Sequence, residues 1–172
     1  RQLGDLETTM MLKPDLLVGW HSTFMPKVLR TTDFWHKRGV NTFIARSSIG
    51  DGKPRTLQNE YKDILDLGKI FDKNERAQQL VGQMQQEVNF AISHTAGYQK
   101  RPRALVLEFM GTEPTVYGEK SLAGNIVKEL HGELLAEKQR AIGLEQVVEL
   151  DPDVIFLVVT EFNYGHEQDV LD

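Results

Sequence analysis

The 172 residues are enough for one large domain or two small lobes, and 40% hydrophobic with 26% charged residues is ordinary for a globular protein. A net charge of −5 argues against nucleic acid as the main partner, because phosphate binding needs a basic surface. With no Cys, the chain has no disulfides, Cys-ligated metals or thiol nucleophiles, and no apolar run is long enough to span a bilayer. No signal-peptide pattern opens it, and it starts on Arg1 and stops on Asp172 without punctuation, so we expect a piece of a longer protein.

Asp5 is placed to N-cap a short helix over residues 6–12, and Pro14 pushes Lys13 out of the helical region and ends it. Leu16, Leu17, Val18 and Gly19 read as a short buried strand. Trp20 and His21 follow at its C-terminal end, the edge where open parallel sheets bind ligands. Val28, Leu29, Phe34 and Trp35 fall on roughly one face of a helix expected over 25–37, with Gly39 as its C-cap. Residues 40–45 alternate and are β-branched, which predicts a second strand and a right-handed βαβ unit. The polar loop 46–56 is no phosphate loop: Gly52-Lys53 is followed by Pro54, and no Gly stands five residues before Gly52. It reads as a solvated connection, from which Arg46, Lys53 or Arg55 could reach an anionic ligand.

A helix over 57–67 is expected to end at Gly68, and Asp72 with Glu75 has the spacing of a capping box. Ala77, Leu80, Val81, Met84, Val88, Ala91 and Ile92 then form one apolar stripe, the longest helix of the chain, ending near 94–97. Such a stripe packs on its own protein more often than on a partner. Residues 104–109 predict a strand, 110–117 a loop carrying Tyr117, 118–130 a helix, and 133–141 a polar connection. Residues 144–155 predict a short helix, a turn at Asp151-Pro152-Asp153 and a buried strand running to Val159, with Tyr164 and His166 beyond its C-terminal end.

That last segment repeats the first. Leu6/Leu144, Glu7/Glu145, Leu12/Leu150, Pro14/Pro152 and Asp15/Asp153 are identical at an offset of 138 residues. Copies this far apart do not make a solenoid; they suggest two similar α/β lobes, with the long helix as their connector. Glu7 and Glu145 occupy the second position of their helices. They either offset the helix dipole or form two matched docking points.

Catalytic patterns are absent. The five His include no HExxH pair, Ser47, Ser48 and Ser121 lack a GxSxG context, and no carboxylate pair stands out. His36 and His131 read as solvated residues on helix surfaces. His21 and His166 both follow strand ends and are either ordinary hydrogen-bonding residues or ligands to a metal or haem.

The paired LExxxxLxPD segments, the helix between them, and RPRALVLEF…YGEKSLAGNIVKELHGELLA together resemble the substrate-binding proteins of ABC importers for iron-siderophores, haem and vitamin B12. The resemblance covers essentially the whole chain. It implies an α/β fold of two Rossmann-like lobes with parallel sheets joined by one long helix, here truncated at both ends. The first lobe would take residues 1–71, the connecting helix 72–98 and the second lobe 99–172. Capture of an iron complex or corrinoid outside the cytoplasm and its delivery to an ABC permease are implied, with no catalysis and no cofactor. Membrane association would come only through an anchor outside this chain.

By residue, the resemblance implies that Glu7 and Glu145 dock on the permease. It makes Trp20 and Tyr117, and more weakly Phe109, line the ligand cleft. His21, Arg46, Tyr164 and His166 are cleft candidates by position alone. The loop 110–117 lacks the basic cluster used by many receptors for anionic ferric siderophores, which leaves a corrinoid, haem or a neutral siderophore open. Two alternatives stand beside this: a receptor for free zinc or manganese, which needs three or four converging ligands, and a tetrapyrrole metal chelatase on a similar scaffold, with His21 or His166 as its base.

Overall fold

The computed structural model describes residues 5–95, 97, 99–109 and 114–159. The chain divides into two compact units, Arg1–Lys53 and Pro54–Asp172.

In the first unit, helix α1 (Leu6–Met11) is capped by Asp5, whose carboxylate accepts the Thr8 N–H at 2.8 Å. The helix stops where Lys13 turns left-handed (φ 46°) ahead of Pro14. Strand β1 (Leu16–Gly19) pairs in parallel with β2 (Asn41–Ile44), from Leu16↔Asn41 to Gly19↔Ile44. The expected helix over 25–37 shrinks to α2 (Thr32–His36). Pro26 lacks an N–H, the Leu29 N–H turns back to the Thr23 carbonyl at 3.1 Å, and Arg30 adopts a left-handed φ of 61°. Thr31 then caps the helix through the Phe34 N–H. What the apolar face encodes survives the change: Trp35 is 1% exposed, and its indole N–H donates to the Leu29 carbonyl at 2.5 Å.

The second unit opens with helices α3 (Leu57–Ile70) and α4 (Asn74–Thr95). Gly68 does not end α3. It lies inside the helix, and a Cβ there would collide with the Cβ of Ala77, so it permits close approach of α3 to α4. Nor does Asp72 cap α4: the helix begins at Asn74, and Asp72 sits in the preceding turn at φ 53°. Strand β3 (Arg103–Glu108) is the centre of a four-stranded sheet. It pairs in parallel with β5 (Glu133–Leu134) and β6 (Val154–Leu157), and antiparallel with β4 (Thr115–Val116). The sheet is thus parallel, as expected, with one short antiparallel addition.

Residues 115–116, expected in a loop, form β4, and residues 133–134, expected in a polar connection, form β5. Leu134 and Leu135 are buried, one against each face of the sheet. Helix α5 covers Leu122–Glu129, shorter than the expected 118–130, because Ser121 accepts the Gly124 N–H at 2.9 Å and fixes its start. His131 follows at φ 63°, past the helix end rather than on its surface.

Alternation along β3 builds the core. Leu105 and Leu107 pack with Val116, Leu135 and Ile142 on one face, while Ala104 and Val106 pack with Val127 and Leu134 on the other. The second repeat copy is α6 (Leu144–Leu150) followed by β6. Strand β6 ends at Leu157 rather than Val159 and is not buried throughout, since Ile155 and Phe156 are about half exposed. It hydrogen-bonds to β3 on one edge, and among the described residues no strand pairs with the other.

Candidate functional site

Among the described residues, Trp20 and His21 follow the C-terminal end of β1, Arg46 that of β2, Phe109 that of β3 and Tyr117 that of β4. In the first unit Trp20 follows β1 directly and is 62% exposed. His21 opens a 3-10 turn (His21–Phe24), and its backbone N–H donates to the Ser48 hydroxyl at 2.8 Å. Ser48 closes the 3-10 turn after β2 (Arg46–Ser48), and its hydroxyl donates to the Ala45 carbonyl at 2.6 Å. Because β1 and β2 are parallel neighbours, their C-terminal turns emerge side by side. That bond ties the turn bearing Trp20 and His21 to the turn bearing Arg46. His36 lies elsewhere, exposed, with Nε2 2.9 Å from the Thr42 hydroxyl.

In the second unit the register Glu108↔Thr115 and Leu107↔Val116 brings β4 back along the end of β3. The Tyr117 N–H donates to the Val106 carbonyl at 2.9 Å, and its ring packs against the cluster of Ala104, Val106, Val127 and Leu134. The Tyr117 hydroxyl donates to Glu108 Oε2 at 2.6 Å. Glu108 is only 5% exposed. Burial, the hydrogen bond to Glu108 and the charge of Glu108 push the Tyr117 phenol up to about 12, while Arg55 acts weakly the other way. Gly118 lets the chain turn sharply after Tyr117, since a Cβ there would strike the Glu137 carbonyl. Phe109 packs against the Leu105–Leu107 cluster. Tyr164 and His166 lie outside the described residues.

Glu108 is the site residue that pattern reading passed over. Its signal was present: a lone acid closing the apolar run ALVLEF must find a partner once buried.

Glu7 and Glu145 are both exposed in the first turns of α1 and α6, the repeat-equivalent helices. A cavity of about 520 Å³ lies at the opposite, N-terminal end of β3 and β6. Its lining includes Lys100, Arg101, His131 and Asp153, but Lys100 is already paired with Asp153 at 3.3 Å. An apolar groove of about 430 Å³ runs between α4, α5 and the sheet, lined by Ala91, Val106, Val127 and Phe156 among others. Neither contains a residue nominated for ligand binding. Among the described residues no three His, Asp or Glu side chains cluster as a metal site, and no helix is long and apolar enough to cross a membrane.

A family model described as periplasmic binding protein matches residues 1–171. No curated protein matches the chain. Among solved structures, a periplasmic binding protein from Veillonella parvula DSM 2008 is 44% identical, with a TM-score of 0.89 over 97% of this chain and 52% of its own. An ABC-type Fe3+-hydroxamate transport system structure from Saccharomonospora viridis DSM 43017 is 25% identical, with a TM-score of 0.70 over 92% of this chain and 54% of its own. The periplasmic vitamin B12 binding protein of Vibrio cholerae shares the fold at 17% identity, with a TM-score of 0.65 over 96% of this chain and 62% of its own. The chain therefore spans about half the length of the Veillonella relative. With its repeated helix–strand unit, its parallel strands and a family match over residues 1–171, the chain belongs to the periplasmic binding protein family.

Proposed function

We propose that this chain is part of an extracytoplasmic solute-binding protein that captures an iron complex, siderophore or haem, or a corrinoid and delivers it to an ABC permease. The observation that carries the reading is the family match over residues 1–171. The 44% identity to a periplasmic binding protein and the 25% identity to an Fe3+-hydroxamate transport structure support it. In this reading the ligand meets the C-terminal strand edges: Trp20, His21 and Arg46 from the first unit, Tyr117 and Phe109 from the second. Tyr164 and His166 would join them. Aromatic contacts and a few polar groups supply the affinity. Residues 1–71 and 99–172 contribute to two lobes, with 72–98 joining them, and Glu7 and Glu145 dock on the permease.

A thermal-shift panel on the full-length protein tests this, with ferric hydroxamate and catecholate siderophores, haemin, cobalamin, zinc and manganese. A ligand that binds the native state alone raises the midpoint. A shift with one iron complex or with cobalamin is expected. A shift with free zinc or manganese alone would replace the proposal with a metal-ion receptor, and turnover of a tetrapyrrole with ferrous iron would replace it with a chelatase. Glu7→Ala and Glu145→Ala should each leave the ligand-induced shift intact and weaken stimulation of the permease.

A further inference from the structure

We propose that Glu7 and Glu145 each stand in an exposed apolar patch, beside Met10 and Val148, and that these patches, more than the acids, hold the permease. The partner surface this implies is a cation ringed by apolar side chains, met once by each unit. The proposal rests on the reading above, in which α1 and α6 meet the permease, and states what chemistry they would meet there.

Three observations carry it. Met10 and Val148 are equivalent positions of the repeat, and each stands three residues after its acid, which sets the two side chains next to each other on the helix surface. Neither faces its own core. The equivalent pair just before them points inward, with Thr9 buried and Val147 packed against the Leu105–Leu107 cluster, whereas Met10 is 44% and Val148 79% exposed. Met11 widens the first patch and Leu144 the second, at 81% and 62% exposed. One exposed apolar side chain is ordinary on any surface. The same place beside the same acid in both units, filled by two different apolar residues, is not. Third, among the described residues neither the Glu7 nor the Glu145 carboxylate has an ion pair or hydrogen bond, so both charges are free for a partner.

A solvated ion pair is weak and screened by salt. Apolar contact around it excludes water and supplies the side chains whose loss costs most. The acids therefore speed and orient the encounter, and the apolar groups slow dissociation. Charge favours the permease over a second copy of this chain: each patch carries its own acid, and Glu149 adds another beside Val148, so two copies would bring like charges together.

The experiment uses the full-length protein and its permease in lipid nanodiscs. Met10→Cys and Val148→Cys are first labelled with a maleimide in the free protein and read at the peptide by mass spectrometry. Both should react at a rate close to that of an unstructured peptide. Slow labelling would overturn the proposal, because the rest of the chain would then cover the patches. Labelling that slows as the free protein is concentrated would overturn it in favour of self-association. Binding kinetics follow with Met10→Gln and Val148→Thr, which keep size and remove apolar character. Each should raise the dissociation rate from the permease several-fold, and the pair together by about tenfold, with association and its salt dependence unchanged. Glu7→Gln and Glu145→Gln should instead slow association and flatten its salt dependence. Unchanged dissociation in the first pair, with slower association in the second, would overturn the inference and leave the docking acids standing. Four variants that all bind like wild type would overturn the docking role of α1 and α6 as well, and a wild type that does not bind the permease would overturn delivery itself.

Discussion

The two repeat copies share a backbone path and differ in what holds it. Lys13 and Asp151 are equivalent positions, one residue before Pro14 and Pro152, and both adopt the left-handed conformation, at φ 46° and 44°. Each turn ends a short helix and starts a strand of four residues, β1 or β6. The contacts diverge from there. Asp5 caps α1 with its side chain, whereas its counterpart Gly143 has none, and Gln146 accepts the Gly143 N–H at 3.1 Å instead. The identical Asp15 and Asp153 have different tasks: Asp15 gives its backbone carbonyl to the Asn41 N–H at 2.9 Å, while the Asp153 carboxylate accepts the Arg103 N–H at 2.8 Å and is approached by Lys100 at 3.3 Å. The repeat therefore keeps one turn geometry, and each copy is held by its own neighbours.

The largest test of this contrast lies in the first copy's surroundings. Trp35→Ala should destabilise the first unit by about 3–5 kcal/mol through lost packing, with the Leu29 carbonyl also losing its donor. Both Trp residues, Trp20 and Trp35, lie in that unit, so denaturation followed by the fluorescence of the remaining Trp20 reports on it alone. Leu105→Ala, beneath the second copy, should cost about 2–5 kcal/mol. That loss should appear in the helical circular dichroism signal and leave Trp20 fluorescence at low denaturant unchanged. A single transition that shifts equally under both probes for both variants would mean that the copies are not held independently.

A smaller effect separates the shared acids. The Arg103 N–H, and after it Lys100, hold the Asp153 carboxyl below its ordinary value of 3.8. The stabilisation is therefore present above that value and is lost as pH falls through the lower folded-state value. Asp153→Asn should be less stable than wild type at neutral pH, with the gap closing below about pH 4. Asp15→Asn, which keeps its carbonyl bond, should show a smaller gap at neutral pH; an equal gap would end the distinction between the two. The smallest change is Gln146→Ala, about 0.5 kcal/mol by thermal denaturation, since the bond it removes is exposed. Glycine at position 5 with glutamine at position 8 would test whether the second copy's device can replace the first.

Much of the fold could be read from the sequence where the signal is local. Asp5 and Pro14 bound α1, and the apolar stripe of 77–92 is α4. The apolar run at 16–19 is strand β1, and the run expected over 104–109 is strand β3 at Arg103–Glu108. Elements without a local signature were missed. Glu133-Leu134 is too short and too polar at its edges to announce a strand, and becomes one because β3 offers it a parallel partner. Gly68 reads as a helix stop because glycine is a poor helix former, yet its reason is the close approach of Ala77. Of the site, the positions of Trp20, His21 and Arg46 after β1 and β2 were legible, since both strands are short runs rich in apolar and β-branched residues and bounded by turn residues, whereas Tyr117 follows β4, a strand that the sequence had placed in a loop. The partnership of Glu108 with Tyr117 was not legible, because it spans a loop and depends on antiparallel register.

Sequence by itself determined the repeated helix–turn–strand unit and the alternation that gives β3 two buried faces, because each is written in spacing between residues, and its resemblance to known importer proteins pointed to the family that the match over residues 1–171 shows. Tertiary structure alone decided which neighbour satisfies each buried or turned group. Ser48 meets the His21 N–H, Arg103 meets Asp153, and Glu108 meets Tyr117. Hydrogen bonds between distant segments depend on strand order and register, and these are set by the packing of the whole unit rather than by any local run of residues.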